Sequence, residues 1–295
     1  MRITEQSRLS NQVDYLNSAA ERMDRIQQQL ATGKRIERAS DDPSGAALAL
    51  SHRKSIAFET QMRRNMENGT AFLNVTESAL NGATEILQRA RELSVQAANG
   101  TNGPSERASI SAEVGQLIQG LAQVGNSNFG GAYIFSGFQT QTAAFQLTGT
   151  PPTAITYQGD SGQRMHRISA QDTVATNVVG STAFGSIFTD LIALRDNLSA
   201  NAPVATISAG IANIDSALDR VLQARADVGG RINRFESSKA RSEDTDTSLQ
   251  GLRANIEDID LGETIVRMTA QQNALQAALG AIGRNSNNSL LNFLR

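Results

Sequence analysis

The sequence predicts a mainly α-helical fold with a small β-rich insertion, in which the N- and C-terminal halves form a long antiparallel coiled-coil rod. Three observations carry that prediction. Apolar residues recur in alternating steps of four and three toward both ends of the chain. Met66, Leu73, Leu80 and Leu87 repeat every seven residues. Between 129 and 185 this rhythm gives way to short β-prone runs punctuated by Gly, Pro and Ser.

The first element is an amphipathic helix. Leu9, Val13, Leu16, Ala20 and Met23, extended by Ile26 and Leu30, place one apolar stripe along it. It ends near Gly33, which can adopt the left-handed conformation of a helix C-cap. In the following "SDDPSGAALA", Pro43 cannot donate a backbone bond and disfavours helical dihedrals at Asp42. Pro is nevertheless favoured at the first helical position, which puts Asp42 at the N-cap.

From 44 to 98 the spacing is sustained. Beside the large seam runs a second one, Met62, Gly69, Thr76, Ala83, Ala90 and Ala97, whose mostly small residues suit close helix packing. At 1.5 Å per residue the helix is roughly 80 Å long. "NGTNGPSER" breaks it, and Pro104 restarts a helix in which Ile110, Val114, Leu117, Leu121 and Val124 keep the rhythm.

The insertion, 129–185, holds the strand-like runs "AYIF", "AFQL", "AITY", "RMHRI" and "TVATNVV". A short helix over 187–198 follows. Ile207, Ile211, Ile214, Leu218, Val221, Arg225, Val228, Ile232 and Phe235 then mark a second long helix reaching Ile259. Its matched length invites antiparallel pairing with the first. The last segment, 264–295, carries Ile265, Met268, Leu275, Leu279, Ile282 and Phe293, and among its charges are three arginines and no acid. A helix so poor in charge lacks an ordinary solvated face and suits burial on several sides.

Composition narrows the function. The net charge of −2 leaves no electrostatic footprint for nucleic acid. Without cysteine there are no disulfides or thiolate metal sites. The first residues lack the apolar stretch and cleavage site of a secretory signal, and no apolar run is long enough to span a membrane.

The search for catalytic chemistry returns none. His52 and His166 are isolated in sequence, which argues against a transition-metal centre. "LATGKR" lacks the first glycine and the final Ser or Thr of a phosphate-binding loop. "EDIDLGE" lacks the Gly and Glu that a calcium loop starting at Asp258 requires at 263 and 269. Its acids, like those of "EDTDTS" from Glu243, read as solvated. No G-x-S-x-G elbow occurs. The expectation is a non-enzyme without cofactor.

Several stretches resemble one family. "TGKRIERASDDPSGAALA", "RADVGGRINRFE" and "IEDIDLGETIVRMTAQQNALQAAL" are similar to the junctions and returning helices of bacterial flagellins and their relatives. "GGAYIFSGFQTQTAAF", "YQGDSGQRMHRIS" and the terminal "SLLNFLR" resemble the hook-associated branch of that superfamily, at the hook–filament junction. The resemblance implies a structural protein outside the cell, exported through the flagellar type III apparatus without a cleaved signal. It implies terminal helices, 1–43 with 260–295, lining a tube; a rod, 44–128 with 186–259; and a small outer insertion, 129–185. Its partners would be copies of itself in a ring or tube, the other junction protein, flagellin and an export chaperone.

The mechanism expected is folding coupled to assembly. Leu9, Val13, Leu16, Met23, Ile26 and Leu30 would pack with Ile265, Met268, Leu275, Leu279, Ile282 and Phe293 on incorporation, and Asp42 and Pro43 would set the helix break. The alternatives are a filament subunit, or a coiled-coil receptor or adhesin fragment with the insertion as its binding head.

Overall fold

The computed structural model describes residues 5–100 and 102–293, with side chains described at 7, 10–100 and 102–283. Among the described residues, seven helices and six short strands follow in the order α1 (Glu5–Thr32), α2 (Pro43–Ala97), α3 (Pro104–Gly125), β1 (Asn128–Phe129), β2 (Ala132–Tyr133), β3 (Phe145–Thr148), β4 (Ala154–Tyr157), β5 (Met165–Arg167), β6 (Thr173–Ala175), α4 (Gly180–Phe184), α5 (Ile187–Ser199), α6 (Val204–Glu257) and α7 (Leu261–Phe293). Two compact units are present, Met1–Phe58 with Thr245–Arg295, and Glu59–Asp244; α2 and α6 each contribute to both.

In the larger unit the seven-residue seams are the core. Met66, Leu73, Leu80 and Leu87 are wholly buried, as are Thr76, Ala83, Ala90 and Ala97 beside them. On α6, Ile207, Ile214, Val221, Val228 and Phe235 are buried, while Ile211, Leu218, Arg225 and Ile232 are only partly so. Side-chain pairs fix the direction: Glu67 with Lys239, Glu77 with Arg225, and Arg91 with Asp215. Numbers rise along α2 as they fall along α6, so the two helices run antiparallel, as their matched lengths invite.

Small residues let the helices approach. A Cβ on Gly69 would stand 2.7 Å from the Phe235 ring. Three buried hydroxyls of α2 are spent locally: Thr76, Thr84 and Ser94 each donate to the carbonyl four residues back, at 3.0, 2.8 and 2.6 Å. α3 lies against α5, where the Ser111 hydroxyl donates to the Arg195 carbonyl at 2.9 Å.

The insertion is three separate antiparallel hairpins, β1–β2, β3–β4 and β5–β6. Gly130 and Gly131, with φ of 59° and 82°, make the first turn. Asn126 anchors the second: its side-chain oxygen accepts from the Phe145 amide at 2.8 Å, and its nitrogen donates to the Phe145 carbonyl at 2.7 Å. Phe135, Phe145, Phe184 and Phe188 contact one another edge-on, tilted or stacked, and belong to the same apolar cluster as the helical seams.

The strand expected from "TVATNVV" is shorter than its composition suggests, ending at Ala175. Asn177 leaves the ladder to accept from the Arg164 amide at 2.7 Å and donate to the Gly162 carbonyl at 2.8 Å. A polar side chain there does more for the backbone than one more strand residue would.

Candidate assembly interface

The smaller unit holds all the residues singled out for assembly. α1 and α7 pack against each other. The α1 side of the seam is Leu16, Ala19, Met23, Ile26 and Leu30, and the α7 side is Thr264, Met268, Leu275 and Ile282. Only Ala19, Met23 and Thr264 among these reach full burial. Gln271 crosses the seam and donates to the Ala19 carbonyl at 3.2 Å. Full burial of a Leu or Ile contributes roughly 1.5–3 kcal/mol, and a half-buried side chain correspondingly less.

Val13, Ile265 and Leu279 stand outside this seam, 51%, 50% and 53% exposed. At 100° per residue they lie roughly 45–100° around their helices from the seam's centre. The single stripe read from each terminal segment thus divides in two. One part closes α1 on α7 within the chain, and the other flanks it and faces outward. Leu9 and Phe293 lie outside the residues whose side chains are described.

Sequence reasoning missed further exposed apolar residues here, namely Tyr15, Leu261 and Val266, the first 76% exposed. Tyr15 and Val266 fall off the four-three rhythm, which is why periodicity passed over them.

The break between α1 and α2 is built from local backbone and side-chain bonds. Gly33 takes φ 68°, and its amide donates back to Gln29. Asp42 caps α2: its Oδ1 accepts from the Gly45 amide and the Ser44 hydroxyl, both at 2.9 Å. The Gly45 bond, then the Ser44 bond, hold the Asp42 carboxyl below its ordinary pKa. Asp41 accepts from the amides of Arg38 and Glu37, and the Arg38 bond is the main reason its carboxyl is also lowered. Asp260 is the matching cap of α7, accepting from the Glu263 amide at 3.1 Å.

One reading requires correction. The acids of "EDIDLGE" are not all solvated: Glu257 is 3% exposed. Arg53 approaches it to 2.8 Å, Lys34 to 3.5 Å and Arg253 to 3.9 Å. Lys34 also meets Asp258 at 2.5 Å. Backbone bonds reinforce the ion cluster, the Arg35 amide donating to the Glu257 carbonyl and the Ile259 amide to the Gly33 carbonyl. The guanidinium of Arg35 caps the end of α6 through the Ile256 carbonyl at 2.8 Å. Arg253 sits one turn back on α6, but Lys34, Arg35 and Arg53 lie about two hundred residues away in sequence, so no local pattern announces those three. Asp246, in "EDTDTS", is likewise buried rather than exposed.

Among the described residues no group of three His, Asp or Glu side chains is placed to hold a metal, and no helix is long and apolar enough to cross a membrane. What the site offers is a closed helix pair with apolar flanks, latched at its base by one buried carboxylate.

Such a unit belongs to a structural, self-associating class of protein, and comparison with known sequences gives the class its family. Residues 3–140 match the bacterial flagellin N-terminal helical region, and 211–294 match the bacterial flagellin C-terminal helical region. The chain belongs to the bacterial flagellin family and is a structural protein of the flagellum. It is 31% identical over 261 residues to a flagellar filament 30.7 kDa core protein of Treponema maltophilum, covering 87% of this chain and 86% of that one. It is 30% identical over 300 residues to flagellar hook-associated protein 3 of Salmonella typhimurium, covering 92% and 94%. Its fold resembles the flagellar junction protein FlgL of Legionella pneumophila, with TM-score 0.60 and 18% identity over 73% of this chain and all of that one. It also resembles FlgL of Bacillus cereus, with TM-score 0.61 and 22% identity over 69% and 99%.

Proposed function

We propose that the protein is a junction subunit that connects hook to filament, its terminal helices completing their packing as it is incorporated. The observation that carries this reading is the insertion. Its β3–β4 and β5–β6 hairpins join the apolar cluster of α2, α3, α5 and α6, and its "YIFSGFQTQTAAF" segment resembles the hook-associated branch. The alignment with hook-associated protein 3 of Salmonella typhimurium covers more than nine-tenths of both chains.

In this reading 1–43 with 260–295 form the inner tube layer, 44–128 with 186–259 the rod, and 129–185 the outer part. The apolar flank of Val13, Ile265 and Leu279 meets neighbouring copies, and Leu16, Met23, Ile26, Leu30, Met268, Leu275 and Ile282 hold each subunit's own pair closed. Leu9 and Phe293 extend the two helices into the same layer. The chain leaves the cell through the flagellar type III apparatus, with an export chaperone shielding these apolar ends. Its neighbours are the other junction protein and flagellin.

A filament subunit is the second reading, favoured by the 31% identity to the Treponema maltophilum filament core protein. Polymerisation separates the two. Purified chain seeded with hook fragments should add a terminating layer and stop. Long filaments grown from this chain alone would overturn the junction reading in favour of the filament one.

A further inference from the structure

Asparagine followed by glycine occurs at four places in the chain: Asn68–Gly69, Asn81–Gly82, Asn99–Gly100 and Asn102–Gly103. The fold treats them differently. The first two pairs lie inside α2, and the other two lie in the connection from α2 to α3.

Such a pair can react with itself. Glycine has no Cβ to shield its amide nitrogen, which can therefore approach the side-chain carbonyl carbon of the preceding asparagine. Two conditions govern the approach. The glycine amide must not be spent on a carbonyl, and the asparagine backbone must turn away from helical ψ. Inside an α-helix each amide donates to the carbonyl four residues back, and ψ is held at about −42°. Gly69 is further confined by the Phe235 ring. Asn68 and Asn81 thus react only if α2 opens around Met66, Leu73 and Leu80, which are wholly buried.

The Asn99–Gly100 pair meets both conditions. Asn99 and Gly100 are exposed, and the Gly100 amide makes no hydrogen bond among the described residues. A Cβ on Gly100 would meet nothing within 4 Å, so the backbone has room to turn. The turn gives up one long backbone bond, from the Asn102 amide to the Asn99 carbonyl at 3.2 Å. Asn102–Gly103 is less favourable. Both its residues are half-buried, and the Asn102 side-chain nitrogen, the group that would leave, donates to the Gln96 carbonyl.

We propose that Asn99 is a site of spontaneous deamidation. The Gly100 nitrogen gives up its proton to water and bonds to Cγ of Asn99, and the Cγ–Nδ2 bond breaks to release ammonia. Water then opens the resulting cyclic imide at either carbonyl, giving aspartate or isoaspartate, with nothing oxidised or reduced. Both products place a negative charge at the end of α2, where the carbonyl dipoles are already negative and the last turn holds no basic residue. The site is independent of whether the subunit belongs to junction or filament.

The test incubates the purified full chain at mildly alkaline pH and follows all four pairs by peptide mass spectrometry, with fragment ions placing each conversion on its asparagine. Asn99 is expected to convert at least about tenfold faster than Asn68 or Asn81, whose reaction must wait for helix opening. Asn102 is expected to fall between them. Gly100→Ala adds a methyl group where there is room for it, and should slow conversion at Asn99 by about tenfold with an unchanged thermal melt. Conversion of Asn68 or Asn81 as fast as that of Asn99 overturns the proposal. So does an Asn99 that stays intact, faster conversion at Asn102, or undiminished conversion in a folded Gly100→Ala chain. If that variant fails to fold, the ranking of the four pairs in the natural chain still decides.

Discussion

Arg53 lies 2.8 Å from Glu257, joining a residue early in α2 to the last residue of α6. The carboxylate is almost wholly buried, while the side chains of Arg53, Lys34 and Arg253 remain about a third to a half exposed. That asymmetry decides what happens when the acid is removed. The cations can return to water, so the loss is smaller than that of a fully buried pair. Glu257→Gln should destabilise the smaller unit by about 1–2 kcal/mol. The check is hydrogen exchange at the amides of Arg35 and Ile259, which should speed up while amides between 66 and 93 keep their protection.

The capping acids give a pH dependence of definite sign. The carboxyls of Asp41 and Asp42 are lowered in the folded chain from the ordinary value of 3.8. Their contribution is therefore complete above that ordinary value and is lost as pH falls through the lowered one. Acidification below about pH 4 should fray the start of α2, seen as faster exchange of the Gly45 amide. Asp42→Asn should keep the cap and remove this dependence, whereas Asp42→Ala should lose protection at every pH.

The glycines of the long helices divide by surroundings. Gly69→Ala would press a methyl group into the Phe235 ring and is expected to cost about 1–3 kcal/mol. Gly230→Ala meets nothing within 4 Å and should instead stabilise the monomer, by roughly 0.5–1 kcal/mol. Thermal or urea unfolding of the two variants should move in opposite directions.

Leu279 tests the outward flank. Because it is exposed in the monomer, Leu279→Asp should change monomer stability by no more than about 0.5 kcal/mol. It should nonetheless abolish addition to hook fragments. Met23→Asp, in the closed seam, should unfold the α1–α7 pair first. A Leu279→Asp chain that assembles normally would remove this flank from the interface.

Periodicity made the helices legible because their burial follows their spacing: Leu73, Leu80 and Leu87 repeat in sequence and vanish together from solvent. Asp42 and Pro43 were legible because a cap is a local device. Glu257 was not, since its partners Lys34 and Arg53 are brought to it by the fold alone. The division of each terminal stripe was hidden for a related reason. Leu275 and Leu279 are alike in sequence, and only the position of α1 makes one face inward and the other outward.

The paired backbone bonds between Gly33, Arg35, Glu257 and Ile259 have a mechanical meaning. The chain leaves through one strand of this latch and returns through the other, so α1 and α7 depart from a common root. Whatever captures one terminal helix therefore positions the second as well, and the entropy of ordering both is lost in a single event. In the proposed assembly a neighbour would then meet a two-helix tab instead of two separate tails.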